Sequence, residues 1–464
     1  MNLASTIEKT FKKLLPSPFT IAVLLTLVSF LLALCFTGSK TLSTPEYSLQ
    51  LLGYWEKGLW NSSLLVFAFQ MMLMLMLVLG HTLALSKPID KLINYFTAYC
   101  TNTAKAAFLV CLLTLLVSFF NWGLGLIFGA IFARKVAENA KTNNWSIHYP
   151  IIGASAYSGL MVWHGGISGS APIKAAENGH LASIMEGVYP VEKLSLLPEY
   201  IGFSETVFST MNICVSILIL LVLPSFMYIV GKKSKPQTLV IEITKTEVNS
   251  VKSEGAESLD ESTILARLFG GIILLYVFYK AFILPETVSL NFINPNYINL
   301  CLLGLGISMH QNFKQYLKAL DGAIGGASGI LIQFPLYFGI MGIMKHTGMI
   351  TQLSEFFVSI STETTFPIFT FLSAGLVNIF IPSGGGQWAI QGPIIIEASQ
   401  QLGLSLSKNI MALAYGDQLT NMLQPFWALP LLGITGLKAK EILPYTLLLM
   451  IIGAIIFIGG LLIF

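Results

Sequence analysis

Between Glu397 and Glu441 the chain carries one acidic residue, Asp417, within the polar run Asp417-Gln418-Leu419-Thr420-Asn421-Met422-Leu423-Gln424-Pro425. Burying a carboxylate in apolar surroundings is costly, so such a residue is a functional candidate from the outset. It can bind a coupling cation or carry a proton. Gln418, Asn421 and Gln424 place neutral oxygen and nitrogen groups beside it, and with Asp417 they form the expected coupling-ion set. The competing reading sets Asp417 at a helix end near water, where it caps or pairs locally, and makes some of the amides interhelical glue.

A second kind of chemistry comes from glycine and serine. Three Gly-containing interruptions stand in apolar stretches: Asn121-Trp122-Gly123-Leu124-Gly125, Trp163-His164-Gly165-Gly166-Ile167-Ser168-Gly169-Ser170-Ala171-Pro172 and Pro382-Ser383-Gly384-Gly385-Gly386-Gln387. A helix broken at membrane depth must have its polar backbone packed in protein or facing a watery cavity. The N–H groups that open the next helical segment carry partial positive charge and can hold a carboxylate without a full protein charge. Glycine keeps side chains out of the anion's way, and Ser168, Ser170 and Ser383 can add hydroxyl donors. The expected substrate contacts are therefore Asn121, Gly165, Gly166, Ser168, Gly169, Ser170, Ser383, Gly384, Gly385, Gly386 and Gln387. The alternative is that these glycines only let helices approach closely.

Other reactive-looking residues carry less. His164 lies beside a break and can titrate near neutrality, but a lone histidine is more often a hydrogen-bonded structural group. Arg134-Lys135 and Glu138 stand at an expected cytoplasmic helix end, where topology alone accounts for the basic pair. The run Met71-Met72-Leu73-Met74-Leu75-Met76 lacks the cysteines or histidines of a soft-metal site and reads as packing. Cys35, Cys100, Cys111, Cys214 and Cys301 show no CxxC spacing, so neither a disulfide framework nor a metal cluster is expected. GxxxxGK[ST], HExxH and GxSxG are all absent, which disfavours ATP-driven transport and the commonest hydrolases. No enzyme and no cofactor are expected, apart from Na⁺ as a coupling ion.

The elements that must position these residues follow from composition. Of 464 residues 54% are hydrophobic and 11% charged, against roughly 25% charged in an ordinary soluble domain. The uncharged runs Leu14–Ser39, Gly58–Ser86, Ala106–Ala133, Tyr149–Ile173, Thr206–Gly231, Gly322–Met344, Thr364–Ile396 and Ile442–Phe464 are each long enough to cross a hydrocarbon core about 30 Å thick as a helix. A net charge of +3 without a basic cluster does not suggest nucleic-acid binding. The first run follows Lys9, Lys12 and Lys13 and lacks a small-residue cleavage site, so a transmembrane helix is expected there rather than a signal peptide. A charged linker at 231–263, opening Lys232-Lys233-Ser234-Lys235-Pro236, separates repeats at 1–230 and 264–464. Its lysines and those of the N-terminus place both in the cytoplasm, with an even number of crossings between them. Six elements fit the first half.

The halves share markers in one order. Phe67–Leu85 and Leu331–Ile350 each carry one glutamine early and a His-Thr pair late, His81-Thr82 and His346-Thr347. Amphipathic segments follow, Pro88–Tyr99 and Met349–Ile360, then an apolar helix and a Gly-rich break. Tyr157 precedes Pro172, and Tyr415 precedes Pro430, by the same fifteen residues. Counting crossings orients the first copy's opening helix inward and the second copy's outward. The expectation is an all-α polytopic membrane protein of two inverted-topology repeats, with broken or re-entrant helices meeting near the midplane.

Four stretches carry a resemblance: NWGLGLIFGAIFARKVA (Asn121–Ala137), GGISGSAP (Gly165–Pro172), PSGGGQWAIQGP (Pro382–Pro393) and AYGDQLTNMLQPFWALP (Ala414–Pro430). They resemble the AtoE-type short-chain fatty acid transporters over nearly the whole chain. That resemblance implies carriage of short-chain monocarboxylates such as butyrate and acetoacetate across the bacterial inner membrane, within a larger group of ion transporters built on paired re-entrant hairpins. The expected function is thus a multi-pass secondary transporter in the lipid bilayer, coupled to Na⁺ or H⁺. An acyl tail would rest on an apolar wall from Trp163, Trp388 and Phe426. The alternative is a channel-like or facilitative anion permease without ion coupling. A homo-oligomer stays open.

Overall fold

The computed structural model describes residues 18–38, 43–60, 74–75, 77–186, 189–235, 255–284, 295–382 and 384–464. The N-terminal lysines, most of the methionine run, the central linker at 236–254 and Ser383 lie outside the described residues. So does the start of the first copy's opening helix, of which 77–84 is helical. Among the described residues there is no β-sheet, and one isolated bridge joins Glu186 to Tyr189.

The first half runs α1 (Pro18–Phe36), α2 (Thr44–Trp60), α3 (Lys87–Thr97), α4 (Thr103–Phe120), α5 (Trp122–Thr142) and α6 (Tyr149–Tyr157). Two 3₁₀ turns, Ser158–Met161 and Trp163–Gly165, lead into the short α7 (Ser170–Ala175). An insert at 176–209 then precedes the long α8 (Thr210–Lys233). After the linker come α9 (Thr263–Phe282), α10 (Pro295–Met309), α11 (Phe313–His346), α12 (Met349–Ser359), α13 (Phe366–Phe380), α14 (Gly384–Gln401) and α15 (Leu406–Thr420). A 3₁₀ turn, Asn421–Leu423, joins α15 to α16 (Pro425–Thr435), and α17 (Ala439–Ile463) closes the chain.

Element order repeats from α3 onward. An eleven-residue helix, an apolar helix, a break, a second helix, a third helix ending in a 3₁₀ turn, a short helix and a spanning helix appear once as α3–α8 and again as α12–α17. Side-chain caps set several starts: Asn102 Oδ1 accepts from Lys105 N, and Ser209 Oγ from Asn212 N. Gly348 (φ 73°) stops α11 and Gly436 (φ 73°) stops α16, both in the left-handed conformation that glycine adopts without strain.

Five described helices are long and apolar enough to span a bilayer: Phe19–Phe36, Thr103–Phe120, Thr210–Lys233, Thr263–Phe282 and Ala439–Ile463. The run Tyr149–Ile173 is long enough to span as one helix, but it divides into α6, two 3₁₀ turns and α7 around the Gly-rich break expected at 163–172, where glycine holds helix weakly. Thr364–Ile396 divides likewise into α13 and α14. The long helices form the frame, and the divided ones meet inside it. Met161, Tyr157, Tyr415 and Met422 are fully buried there in a continuous apolar cluster.

Candidate functional site

The structure joins the first-half break to the second-half polar run. His164 and Asp417 are buried, at 0% and 1% side-chain exposure, with His164 Nδ1 2.8 Å from Asp417 Oδ2. The pair is close without being aligned as a hydrogen bond. On the other side of the ring, His164 Nε2 accepts from the backbone N–H of Ala171 at 2.9 Å. Nε2 thus serves as the ring's acceptor, and Nδ1 is the ring nitrogen that faces the carboxylate. Trp163 stacks on the ring, with centroids 4.4 Å apart.

Further bonds tie the same two turns together. Gln418 Oε1 accepts from His164 N at 3.0 Å and from Gly165 N at 3.2 Å. Tyr157, from the first half, reaches the second-half turn, its hydroxyl 2.9 Å from Asn421 O and 2.8 Å from Gln424 O. Tyr415 reciprocates through Asn212: its hydroxyl donates to Asn212 Oδ1 at 2.9 Å, and Asn212 Nδ2 donates to Gly165 O at 2.8 Å. Each half's tyrosine therefore braces the other half's break.

Around Asp417 the hub is Asn378 on α13. Its Nδ2 lies within hydrogen-bond distance of three acceptors, Asp417 O at 2.7 Å, Thr420 Oγ1 at 2.9 Å and Asn421 Oδ1 at 2.9 Å, among which its two hydrogens are shared. Gln424 Nε2 donates to Asn378 O. Gln387 Nε2 donates to Ala374 O and to Gln391 Oε1, both at 2.8 Å, and Gln391 Nε2 to Ser373 Oγ at 3.0 Å. These bonds orient the amides, because flipping Asn378, Gln387 or Gln424 would set oxygen against oxygen. What remains without a hydrogen-bond partner is a set of buried oxygens: Asn378 Oδ1, Gln387 Oε1, Gln424 Oε1 and Asp417 Oδ2. Among the described residues no three His, Cys, Asp or Glu side chains group as metal ligands.

The first turn of α14 abuts this cluster. A Cβ placed on Gly384 would stand 2.8 Å from Asp417 Oδ2, 2.9 Å from His164 Cε1 and 3.0 Å from Trp163 Cη2. Gly384 and Gly385 supply first-turn amides, for which an α-helix has no intrahelical acceptors, and Gly386 follows them in the same turn. Ser383, just ahead of them, lies outside the described residues.

The first-half break is differently disposed. Besides Gly165 N, Gly166 N donates to Trp163 O at 3.1 Å, Ile167 N to Phe119 O at 2.9 Å and Gly169 N to Gly166 O at 3.1 Å. Asn121 caps α5, its Oδ1 accepting from Leu124 N at 2.8 Å, and Ser168 Oγ accepts from Trp122 N at 3.1 Å. Ser170 is the first residue of α7. The glycines here also permit close packing: a Cβ on Gly166 would stand 3.0 Å from Phe119 Cα. In this conformation most of these amides serve internal bonds. An apolar groove of about 380 Å³ lies beside Gly165, Gly166 and Ile167, walled by Leu116, Phe119 and Val207.

Of the three residues expected as an apolar wall, Trp163 is at the site. Trp388 turns away, its Nε1 donating to His180 Nε2 of the insert at 3.0 Å. The Phe426 side chain lies outside the described residues. Trp122 and Trp427 pack edge-to-face at 5.0 Å, and Trp122 also meets Trp163 at 6.3 Å. Asn378, Asn212, Trp122 and Trp427 had not stood out as site residues. For Asn378 a signal existed, the one amide in an apolar helix that runs into a break.

A polar centre buried where divided helices meet, framed by membrane-length apolar helices, defines a multi-pass helical membrane protein built to move a solute. A model of the family described as Short chain fatty acid transporter matches residues 1–464. A protein of Escherichia coli (strain K12), provisionally named a short-chain fatty acid transporter, is 34% identical over 458 residues, covering 97% of this chain and 96% of its own. A similarly named protein of Haemophilus influenzae is 35% identical over 465 residues, again covering 97% and 96%. The chain belongs to the short-chain fatty acid transporter family, and it is a transporter rather than an enzyme. Among solved structures, the YdaH transporter of Alcanivorax borkumensis aligns over 97% of both chains at 13% identity and a TM-score of 0.46. MtrF of Neisseria gonorrhoeae, described with a class of antimetabolite efflux pumps, gives 13% and 0.46 over 97% and 96%. These two likenesses are too remote to bear on mechanism.

Proposed function

We propose that the protein is an ion-coupled secondary transporter of short-chain monocarboxylates, of the butyrate and acetoacetate kind, in the bacterial inner membrane, with Asp417 as the coupling carboxylate. The observation that carries this is Asp417 itself, almost fully buried, beside His164 and against the first turn of α14. A substrate carboxylate drawn to the amides of Gly384 and Gly385 would approach a second carboxylate. Two like charges in a desolvated space repel, so the anion binds well only once a cation or a proton neutralises Asp417. That requirement is the coupling.

The buried oxygens without partners favour Na⁺. Asp417 Oδ2, Asn378 Oδ1, Gln387 Oε1 and Gln424 Oε1 are acceptors in want of positive charge, and oxygen ligands at a helix terminus suit Na⁺. Gln387, expected on the substrate, has both amide hydrogens committed, and its remaining oxygen suits a cation rather than a carboxylate. Gln418 and Asn421 then hold the turn. A second reading rests on the 2.8 Å contact of His164 with Asp417, along which a proton can pass instead.

Uptake of labelled butyrate and acetoacetate into proteoliposomes, with Na⁺ and pH gradients imposed separately, tests this. Accumulation should follow one gradient and fall at least tenfold in Asp417→Asn. Folded protein that only equilibrates the label, whichever gradient is imposed, would establish the uncoupled permease instead.

A further inference from the structure

The two halves are unequally furnished where the coupling ion would sit. Tyr157 and Tyr415 stand 258 residues apart, as do Pro172 and Pro430, and the same interval carries Gly159 onto Asp417. Asn378 is the third residue from the end of α13, as Ser118 is of α4. Gln387 and Gln391 are the fourth and eighth residues of α14, the places that Gly125 and Gly129 hold in α5. A carboxylate and three amides in the second half thus answer to three glycines and a serine in the first.

The first-half space is closed by direct packing. A Cβ on Gly159 would fall on Ser118 Oγ and lie 3.0 Å from Thr114 Cγ2. One on Gly125 would fall on the same Oγ and lie 2.8 Å from Ser118 Cα. One on Gly129 would stand 2.7 Å from Thr114 Oγ1. At these three positions the first half packs backbone against side chain, and a glycine brings no side-chain oxygen to any of them. Ser118 Oγ and Thr114 Oγ1 are buried there without hydrogen-bond partners. Two hydroxyls with no carboxylate cannot offset the cost of stripping a cation of its water.

We infer that the protein carries one coupling cation per substrate anion, through the second half alone, the equivalent first-half site being filled by Gly125, Gly129 and Gly159 against Ser118 and Thr114. This rests on the ion-coupled reading above. It has an electrical consequence. One monovalent cation and one monocarboxylate together move no net charge, so the membrane potential does no work on the cycle.

The test is butyrate uptake into proteoliposomes at varied concentrations of the driving ion, with the potential set by K⁺ and valinomycin. The expected results are a Hill coefficient of about one and a final accumulation unchanged by a potential of either sign. Ser118→Ala with Thr114→Val should keep the same ion dependence. A Hill coefficient near two, higher final accumulation under an inside-negative potential, or loss of ion dependence in the folded double variant would overturn the single site while leaving coupled transport standing. If neither gradient drives uptake, coupled transport falls and the single site with it.

Discussion

His164 shows how much a single residue can decide. Its Nε2 is held by the Ala171 N–H at the start of α7 and its Nδ1 faces Asp417, so one imidazole links a half-helix of the first repeat to the carboxylate of the second. Removing it strands a buried backbone donor, a loss of about 1–3 kcal/mol. His164→Phe should therefore melt at lower temperature in detergent than the native protein. The same variant separates the two coupling readings in the uptake assay. Under Na⁺ coupling its accumulation still follows the Na⁺ gradient; under proton coupling through the pair, the response to a pH gradient disappears. Asp417 stands out in the sequence by count, as one acid in an uncharged run, and its burial is what the structure adds. Its partner does not stand out, because His164 lies 253 residues away and hydropathy carries no distances. Nor could the sequence say that Gly165, Gly166 and Gly169 donate their amides internally, since that belongs to a conformation rather than a pattern.

At the scale of elements, the insert between α7 and α8 does more than connect. Leu181, Met185, Tyr189, Leu197 and Ile201 pack on Trp388, Ile395 and Ile396 of α14 and on Ile410 and Leu413 of α15. The first half thereby clasps the broken helix of the second. Its polar fastening is the Trp388–His180 bond, which needs His180 Nε2 unprotonated. Burial, and then the charge of Lys174, lower the His180 pKa, while Glu177, itself paired with Lys174 at 2.9 Å, opposes them. An unfolded histidine titrates near pH 6.5. With the folded value lower, the detached insert binds more protons just below that pH. The fastening is thus whole above about pH 6.5 and is lost as pH falls through the folded value. Limited proteolysis within 176–209 should accelerate between about pH 7.5 and pH 5 in the native protein, and stay flat in His180→Gln, which keeps an acceptor that does not titrate. Equal acid sensitivity in both would rule the histidine out. The breaks and the amphipathic α3 and α12 were readable from glycine clusters and periodicity. The insert was not, for it matches nothing in the second half and its purpose lies wholly in what it touches.

Across the whole molecule, the reciprocal bracing of the two breaks bears on how a secondary carrier, the function proposed above, would turn its site over. Tyr157 grips the Asn421–Gln424 turn, and Tyr415 grips Gly165 through Asn212, so neither half's break is held by its own tyrosine. If the repeats are inverted, exchanging the conformations of the two halves exchanges the side on which the site opens, with nearly the same contacts kept in both forms. That makes alternating access nearly isoenergetic, as a carrier that works near equilibrium requires. Parallel repeats would offer no such exchange, and the shared order of α3–α8 and α12–α17 would serve packing alone. The distinction can be read from two exposed residues, Thr101 just before the Asn102 cap of α4 and Thr364 just before the Thr365 cap of α13. With the five free cysteines replaced, Thr101→Cys and Thr364→Cys should react with a membrane-impermeant maleimide from opposite faces. One labels in intact cells, and the other only after the membrane is opened. Labelling of both from a single face would mean parallel repeats, and turnover would then require a movement other than an exchange between halves.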